Sequence, residues 1–376
     1  MRKCTCLLLV ILFTACVKPY NPPALAFPGG YLVVQGVINA GSDSTIITLS
    51  KTVSVSSAAG ATPVPGAAVS VVSDQGVVYP LTPSGNGNYF SPGLNLDVTR
   101  QYRLNITANN KQYQSDPVPV GITPPIDSVG FNVVNAPEPG VQIYANTHDA
   151  TNTVKYYRWD YTETWEFRAQ YFSYYVGNGT ALVIRSPAQQ IDLCFGNEVS
   201  SDIVLGSTAK LQQDVLYQSP IAFISSTSEK LEAEYSILLR QYALTADAYN
   251  FWTSLKTNTE SLGSIFDAEP SQLTGNIHCV TNPSEPVIGY VSVCTVTSKR
   301  IFIYSQQLPA WVPIYPYSCA EDSLGTVNGV TAVNSSTIVT GLPPVRGDVP
   351  DPVFYSDRQC ADCTIRGTTT RPPFWQ

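Results

Sequence analysis

The side chains best able to do chemistry here are nine cysteines and two histidines. Past residue 16 six cysteines remain: Cys194, Cys279, Cys294, Cys319, Cys360 and Cys363. Cys360 and Cys363 form a C-x-x-C, a spacing shared by zinc sites, redox pairs and disulfide frameworks. A structural zinc site needs four ligands, and no second C-x-x-C accompanies this one. An even set in an exported chain points to disulfides, so no metal or other cofactor is expected. Sequence leaves the connectivity open, but a turn at Asn282-Pro283 would bring the strands of Cys279 and Cys294 together and predicts that they pair. Cys194, Cys319, Cys360 and Cys363 would then share two bonds near the C-terminus. The tail RGTTTRPPFWQ has few residues able to form a ladder, so it needs staples plus docking of Phe374 and Trp375.

The remaining chemistry is sparse. His148 lies in the polar loop NTHDATN, where a solvated role is expected, and His278 sits beside Cys279 in a strand-like stretch. There is no H-E-x-x-H, no G-x-S-x-G and no phosphate loop. Glu163 and Glu166 fall on opposite faces of a strand, so they are not local partners for acid–base work. Asp267 and Glu269 in SIFDAEPS read as turn and capping residues. Lys299-Arg300 is expected to face solvent. No residue is predicted to be catalytic, and the chain is not expected to be an enzyme.

The N-terminus carries the strongest address. Met1-Arg2-Lys3 is a positive n-region, Cys4 to Phe13 is an apolar run, and Thr14-Ala15-Cys16 closes it with small residues before a cysteine. This is the order of a secretory signal over residues 1–15. Its ending resembles a bacterial lipobox, with Phe13 where that motif favours Leu. Cleavage before Cys16 would place acyl chains, palmitate among them, on that cysteine. The apolar run is too short to span a bilayer, so lipid on Cys16 would be the only hold on a membrane. Removing the leader takes away Arg2 and Lys3, which moves the formal charge from -7 to -9. Dispersed negative charge makes nucleic acid an improbable partner.

The elements that would position these residues are mostly strands. Charged residues are only 13%, while Tyr (22), Pro (29), Val, Ser and Thr are abundant, a mix that suits pleated sheets and turns rather than a helical bundle. Residues 16–30 hold the lipidated cysteine and a Pro-rich tether. From Tyr31, short strands separated by Gly/Asn turns indicate a β-sandwich over residues 31–122. Pro117, Pro119, Pro124 and Pro125 mark a boundary and a site for limited proteolysis. Residues 123–376 read as a larger antiparallel β-domain, sandwich or barrel. In it, Tyr157, Trp159, Tyr161, Trp165 and Phe167 alternate with Arg158, Asp160, Thr162, Thr164 and Glu166, which predicts one buried and one wet face. The aromatics Tyr171, Phe172, Tyr174 and Tyr175 break that alternation and form a candidate contact surface. One helix is predicted over about 245–259, capped by Thr245 and covering an opening of the second domain.

Two resemblances cover the chain. The run from P-V-P-G-A-x-V through G-x-Y to Y-x-L-x-I resembles the regulatory-like, Ig-like β-sandwich found beside secreted carboxypeptidases and at the start of many TonB-dependent receptors. That module is a spacer or docking domain. The second resemblance is to the Bacteroidetes lipoproteins of the domain of unknown function 4249. It rests on Trp252, Gly263 to Asp267, Pro270-Ser271, Gly275 to Ile277, Asn282-Pro283, Val287 to Tyr290 and Lys299 to Phe302. The start, CVKPYNPP with YLVVQGVI, and the ending, Cys360 to Trp375, match as well. Cys279 and Cys294 are not recognised as part of the usual pattern.

That resemblance implies an outer-membrane lipoprotein encoded near TonB-dependent receptors, and it supplies no catalytic residues. The expected function is a non-enzymatic accessory that binds an external ligand beside such a receptor. The alternatives are a secreted hydrolase of glycans or peptides, which would need converging acids or a Ser/His pair, and a structural envelope protein. The membrane leaflet stays open because no acidic run follows Cys16.

Overall fold

A computed structural model describes residues 30–53, 60–177, 182–260, 275–324, 337–341 and 353–376. The leader, Cys16, Asp267, Glu269 and the motifs Gly263 to Asp267 and Pro270-Ser271 lie outside the described residues. The protein is mainly β, with one long helix, Ala246–Glu260, and one single-turn helix, Arg358–Ala361, among the described residues. No helix of the described residues is long and apolar enough to cross a membrane.

The first unit is an antiparallel sandwich built on Leu32–Asn39, Thr45–Lys51, Ala68–Ser73, Val78–Gly85, Asn88–Ser91, Gln101–Ala108 and Lys111–Ser115. Alternation places Val69, Val71, Leu104 and Ile106 in its core, as the period-2 pattern requires. The chain then departs from the sequence expectation. Residues beyond 122 do not stay in the second domain: Ile277–Cys279 pairs with Lys111–Ser115, while Val287–Ile288 and Ser292–Cys294 run parallel to Leu32–Asn39. Asn276 Nδ2 donates to the Val291 carbonyl and Val291 N–H donates to Asn276 Oδ1, both at 2.9 Å, drawing the two ends of the sheet together. The approach is close. Gly289 has φ +138°, and a Cβ there would lie 2.1 Å from the Val34 carbonyl oxygen.

The second unit packs the three-stranded sheet Ile126–Val134, Gly140–His148 and Val215–Ser225 on the sheet Leu193–Val199, Tyr156–Arg168, Glu234–Ala243 and Val296–Tyr304. Tyr157, Trp159, Tyr161, Trp165 and Phe167 fill the space between them, so the predicted aromatic stripe is core. The junction is not an open linker. Gln241 Nε2 donates to the Pro124 carbonyl at 2.9 Å and to Thr147 Oγ1 at 3.0 Å, while Trp159 Nε1 donates to Gln241 Oε1 at 2.8 Å. Buried polar groups satisfied in this way hold Pro124 against the second unit, while Pro117, Pro119 and Pro125 are exposed.

Thr245 Oγ1 accepts from Ala248 N–H at 3.2 Å and caps the long helix. The helix packs with Tyr242, Leu244, Tyr290 and Cys294, where the two units meet.

The disulfides are Cys194–Cys363 and Cys319–Cys360, with Cα separations of 5.7 and 5.8 Å. The two cysteines of the C-x-x-C therefore take different partners, which fits a staple and not a zinc site. Cys279 and Cys294 are free and buried, which corrects the predicted pairing. Their strands add to opposite ends of the first sheet, so the Asn282-Pro283 turn does not form a hairpin between them. Burial pushes the Cys294 thiol up to about 12. At pH 8 its thiolate population would then be on the order of 10⁻⁴. Because both cysteines are buried, a thiol-specific reagent should find them slow in native protein lacking residues 1–16 and should count two thiols in denaturant without reductant. A count of zero would restore the Cys279–Cys294 bond.

Candidate functional site

The wet face of the long strand is not simply solvated. Register places Arg158 opposite Tyr242 and Asp160 opposite Arg240, and Arg240 in turn opposite Ser298. Arg240 Nε donates to Asp160 Oδ1 at 2.6 Å and its terminal nitrogen donates to Thr162 Oγ1 at 3.0 Å. Arg158 donates to Asp160 Oδ2 at 3.3 Å. Its guanidinium lies over the Trp252 ring at 4.2 Å and the Tyr242 ring at 5.1 Å, so the helix fixes its position by cation–π contact. Burial works against the Arg240 charge, but Asp160 and Tyr242 outweigh it and hold its pKa above the ordinary value. Burial, reinforced by Asp160, raises the Tyr242 hydroxyl, which therefore stays protonated.

Arg158, Asp160, Arg240, Tyr242 and Ser298 form one wall of a cleft of about 540 Å³. The other wall comes from the first unit: Gly36, Val37, Asn39, Asp43, Ser44 and Ile46. Mostly apolar lining with a few convergent polar groups is the usual make-up of a small-molecule site. Sequence reading assigned Arg158 and Asp160 to a solvated face and passed over Arg240. The available signal was a charged residue interrupting the apolar run of EYSILLRQYAL.

A second polar group surrounds Glu163, which is 5% exposed. It accepts from Tyr235 Oη at 2.8 Å and pairs with Lys230 Nζ at 2.7 Å; Lys230 also pairs with Glu198 at 2.6 Å. A lysine bridging the two acids makes this a structural ion cluster rather than a glycosidase pair. Glu166 lies on the opposite face of the strand, as parity requires.

His148 pairs with Asp127 at 2.8 Å on an exposed surface, and that hydrogen bond raises its pKa. His278 lies 3.3 Å from Asp116, also exposed. Neither imidazole hydrogen-bonds a serine among the described residues. Among the described residues no group of three or more acids, histidines or cysteines is arranged to hold a metal.

Of the aromatics named as a candidate contact surface, Tyr171, Phe172 and Tyr174 are half-buried, and Tyr175 is buried with Leu182 and Val339. Tyr171 N–H donates to the Cys360 carbonyl and its hydroxyl to the Cys319 carbonyl, while the Phe172 carbonyl accepts from Gly341 N–H. They seat the C-terminal region, a non-local role that alternation in the strand could not reveal. The most exposed aliphatic side chains instead include Val312 (75%) and Ile314 (72%), on a proline-spaced extended segment.

Arg300 also departs from expectation: its guanidinium lies 3.5 Å from the Phe374 ring centre and donates to Ser236 Oγ at 3.0 Å, whereas Lys299 is exposed. Trp375 is buried against Phe195 and Phe302.

A family model described as domain of unknown function (DUF4249) matches residues 17–300. The chain belongs to the DUF4249 family. The match covers both β-units up to the middle of the Val296–Tyr304 strand, and the stapled tail lies beyond it. No curated protein matches the chain. Within DUF4249's span, several residues that carry the resemblance have packing roles here. Gly275 and Gly289 sit where a Cβ would strike backbone, and Trp252 braces Arg158.

Proposed function

We propose that this DUF4249 protein is a non-enzymatic lipoprotein, anchored in the outer membrane through Cys16, that binds an external ligand as an accessory of a TonB-dependent receptor. The observation that carries the ligand-binding reading is the cleft between the two units. Its size suits a small molecule, and its polar groups are fixed donors rather than a nucleophile with a base. The leader order, with small residues before Cys16, supports the anchor. Two disulfides in the described chain fit an oxidising compartment.

The reading is tested in two steps. Cys16→Ala should move the protein from the membrane fraction to the soluble fraction; retention at the membrane would end the lipoprotein reading. Affinity capture of the tagged wild-type protein from detergent-solubilised envelopes should bring down a β-barrel receptor. Recovery without one, under conditions that keep other envelope complexes intact, would end the accessory reading.

A further inference from the structure

We propose that the cleft between the two β-units binds a small molecule bearing a carboxylate, with Arg158 and Arg240 as the donors that recognise it. The inference names the ligand class for the site proposed above and rests on that reading of the cleft.

Arg158 is the central observation. Its side chain is only 16% exposed, yet among the described residues its guanidinium makes one hydrogen bond, a long one of 3.3 Å. A guanidinium carries five N–H donors and loses hydration when buried. Stacking on Trp252 and Tyr242 holds the plane in place without consuming those donors. The result is a rigid fork whose unused edge opens on a cleft.

Charge points the same way. Asp160 is one carboxylate shared by two guanidiniums, which leaves one positive charge uncompensated in that trio. Arg300 on the next strand lies near enough to Arg240 for that charge, with burial, to lower its pKa, but it is outside the cleft lining, where Asp43 of the facing wall offsets the surplus. In a chain of net charge -7, such a concentration of arginine on one sheet face is unusual.

An interdomain clamp would explain buried arginines more simply. Here neither guanidinium forms an ion pair with Asp43, the acid on the facing wall, so they do not tie the units together. Asp43 also selects among anions. It is a hydrogen-bond acceptor in the same lining as the two arginines, so it favours a ligand carrying hydroxyl or ammonium donors beside its acid and disfavours a bare inorganic anion. A planar carboxylate matches the guanidinium fork with two parallel bonds. Sugar acids and free amino acids or peptide ends share this chemistry, and the probes below separate them.

Isothermal titration of the purified protein would use D-glucuronate and glycylglycine as probes. D-glucose, glycylglycinamide and sulfate serve as controls. At least one carboxylate probe should bind saturably with Kd of about 1 mM or tighter. Its neutral counterpart should bind at least about tenfold more weakly, since a charge-assisted bond is lost. Arg158→Gln and Arg240→Gln should each weaken the carboxylate by about tenfold or more. Asp43→Asn, an exposed change that leaves the sheet face intact, removes a like charge from the lining and should raise the affinity for sulfate relative to the carboxylate probe while circular dichroism and Tm stay unchanged.

The assignment is overturned if neither carboxylate binds, if sulfate binds the wild-type protein as well as they do, or if Arg158→Gln leaves affinity unaltered in folded protein. Receptor capture without carboxylate binding would leave the accessory reading standing and remove this one. Carboxylate binding without any receptor would do the reverse.

Discussion

Replacing Cys363 with serine should destabilise the protein by about 4 kcal/mol, the largest effect expected from any single cysteine. The Cys194–Cys363 bond spans 169 residues, against 41 for Cys319–Cys360. A longer closed loop removes more entropy from the unfolded chain, although only logarithmically. Position adds to the effect. Cys194 and Cys363 are fully buried in the core of the second unit, where a lone serine hydroxyl would lack a partner. The non-covalent hold on the tail is a reciprocal pair of backbone bonds between Phe195 and Thr368, the docked Trp375, and Arg366 bonded to Glu229 and stacked on Phe167. Denaturant unfolding without reductant measures the difference. A loss below about 1 kcal/mol would mean that those contacts hold the tail unaided.

Lys230→Met should cost about 3–5 kcal/mol, because it strands the Glu163 carboxylate in the core with only Tyr235 as donor. Glu163→Gln should cost less. Lys230 would keep Glu198 and its place over the Trp165 ring at 5.0 Å. The double variant should recover much of the loss, which a double-mutant cycle would read directly. The pH dependence has a definite sign. Burial disfavours the Lys230 ammonium, but Glu163 and Glu198 overcome that and raise its pKa above the ordinary lysine value. A raised basic pKa stabilises the native state fully below the unfolded value, and that stability is lost as pH rises through the native one. The deficit of Lys230→Met should therefore persist at neutral and mildly alkaline pH and shrink in strong alkali, where Lys230 of the wild-type protein loses its charge. A deficit that vanishes near neutrality would refute the ion cluster.

What the sequence determined by itself was local. Strict alternation from Tyr157 to Phe167 fixes which side chains share a sheet face, because a strand turns each residue to the opposite side. Thr245 before an apolar helical spacing sets the helix start, since a hydroxyl there caps an orphan N–H. The tail's poor ladder-forming sequence called for staples, and Cys360 and Cys363 supply them with different partners.

Tertiary structure decided which faces meet. Parity says that Arg158 and Asp160 are neighbours, but only strand pairing brings Arg240 and Tyr242 beside them and Trp252 above. Local pattern could not show that residues 275–294 return to the first sandwich. Strand pairing across 166 residues (Tyr113 with Cys279) and 255 residues (Leu32 with Val287) depends on fitting one sheet edge, and the glycines at 275 and 289 only make room for it. That return is also why Cys279 and Cys294 lie apart despite the turn between them, and why the ligand-sized cleft exists between the two units. Side-chain periodicity is a property of one strand, whereas a cleft is a property of two surfaces, and their meeting is set by the packing of the whole chain.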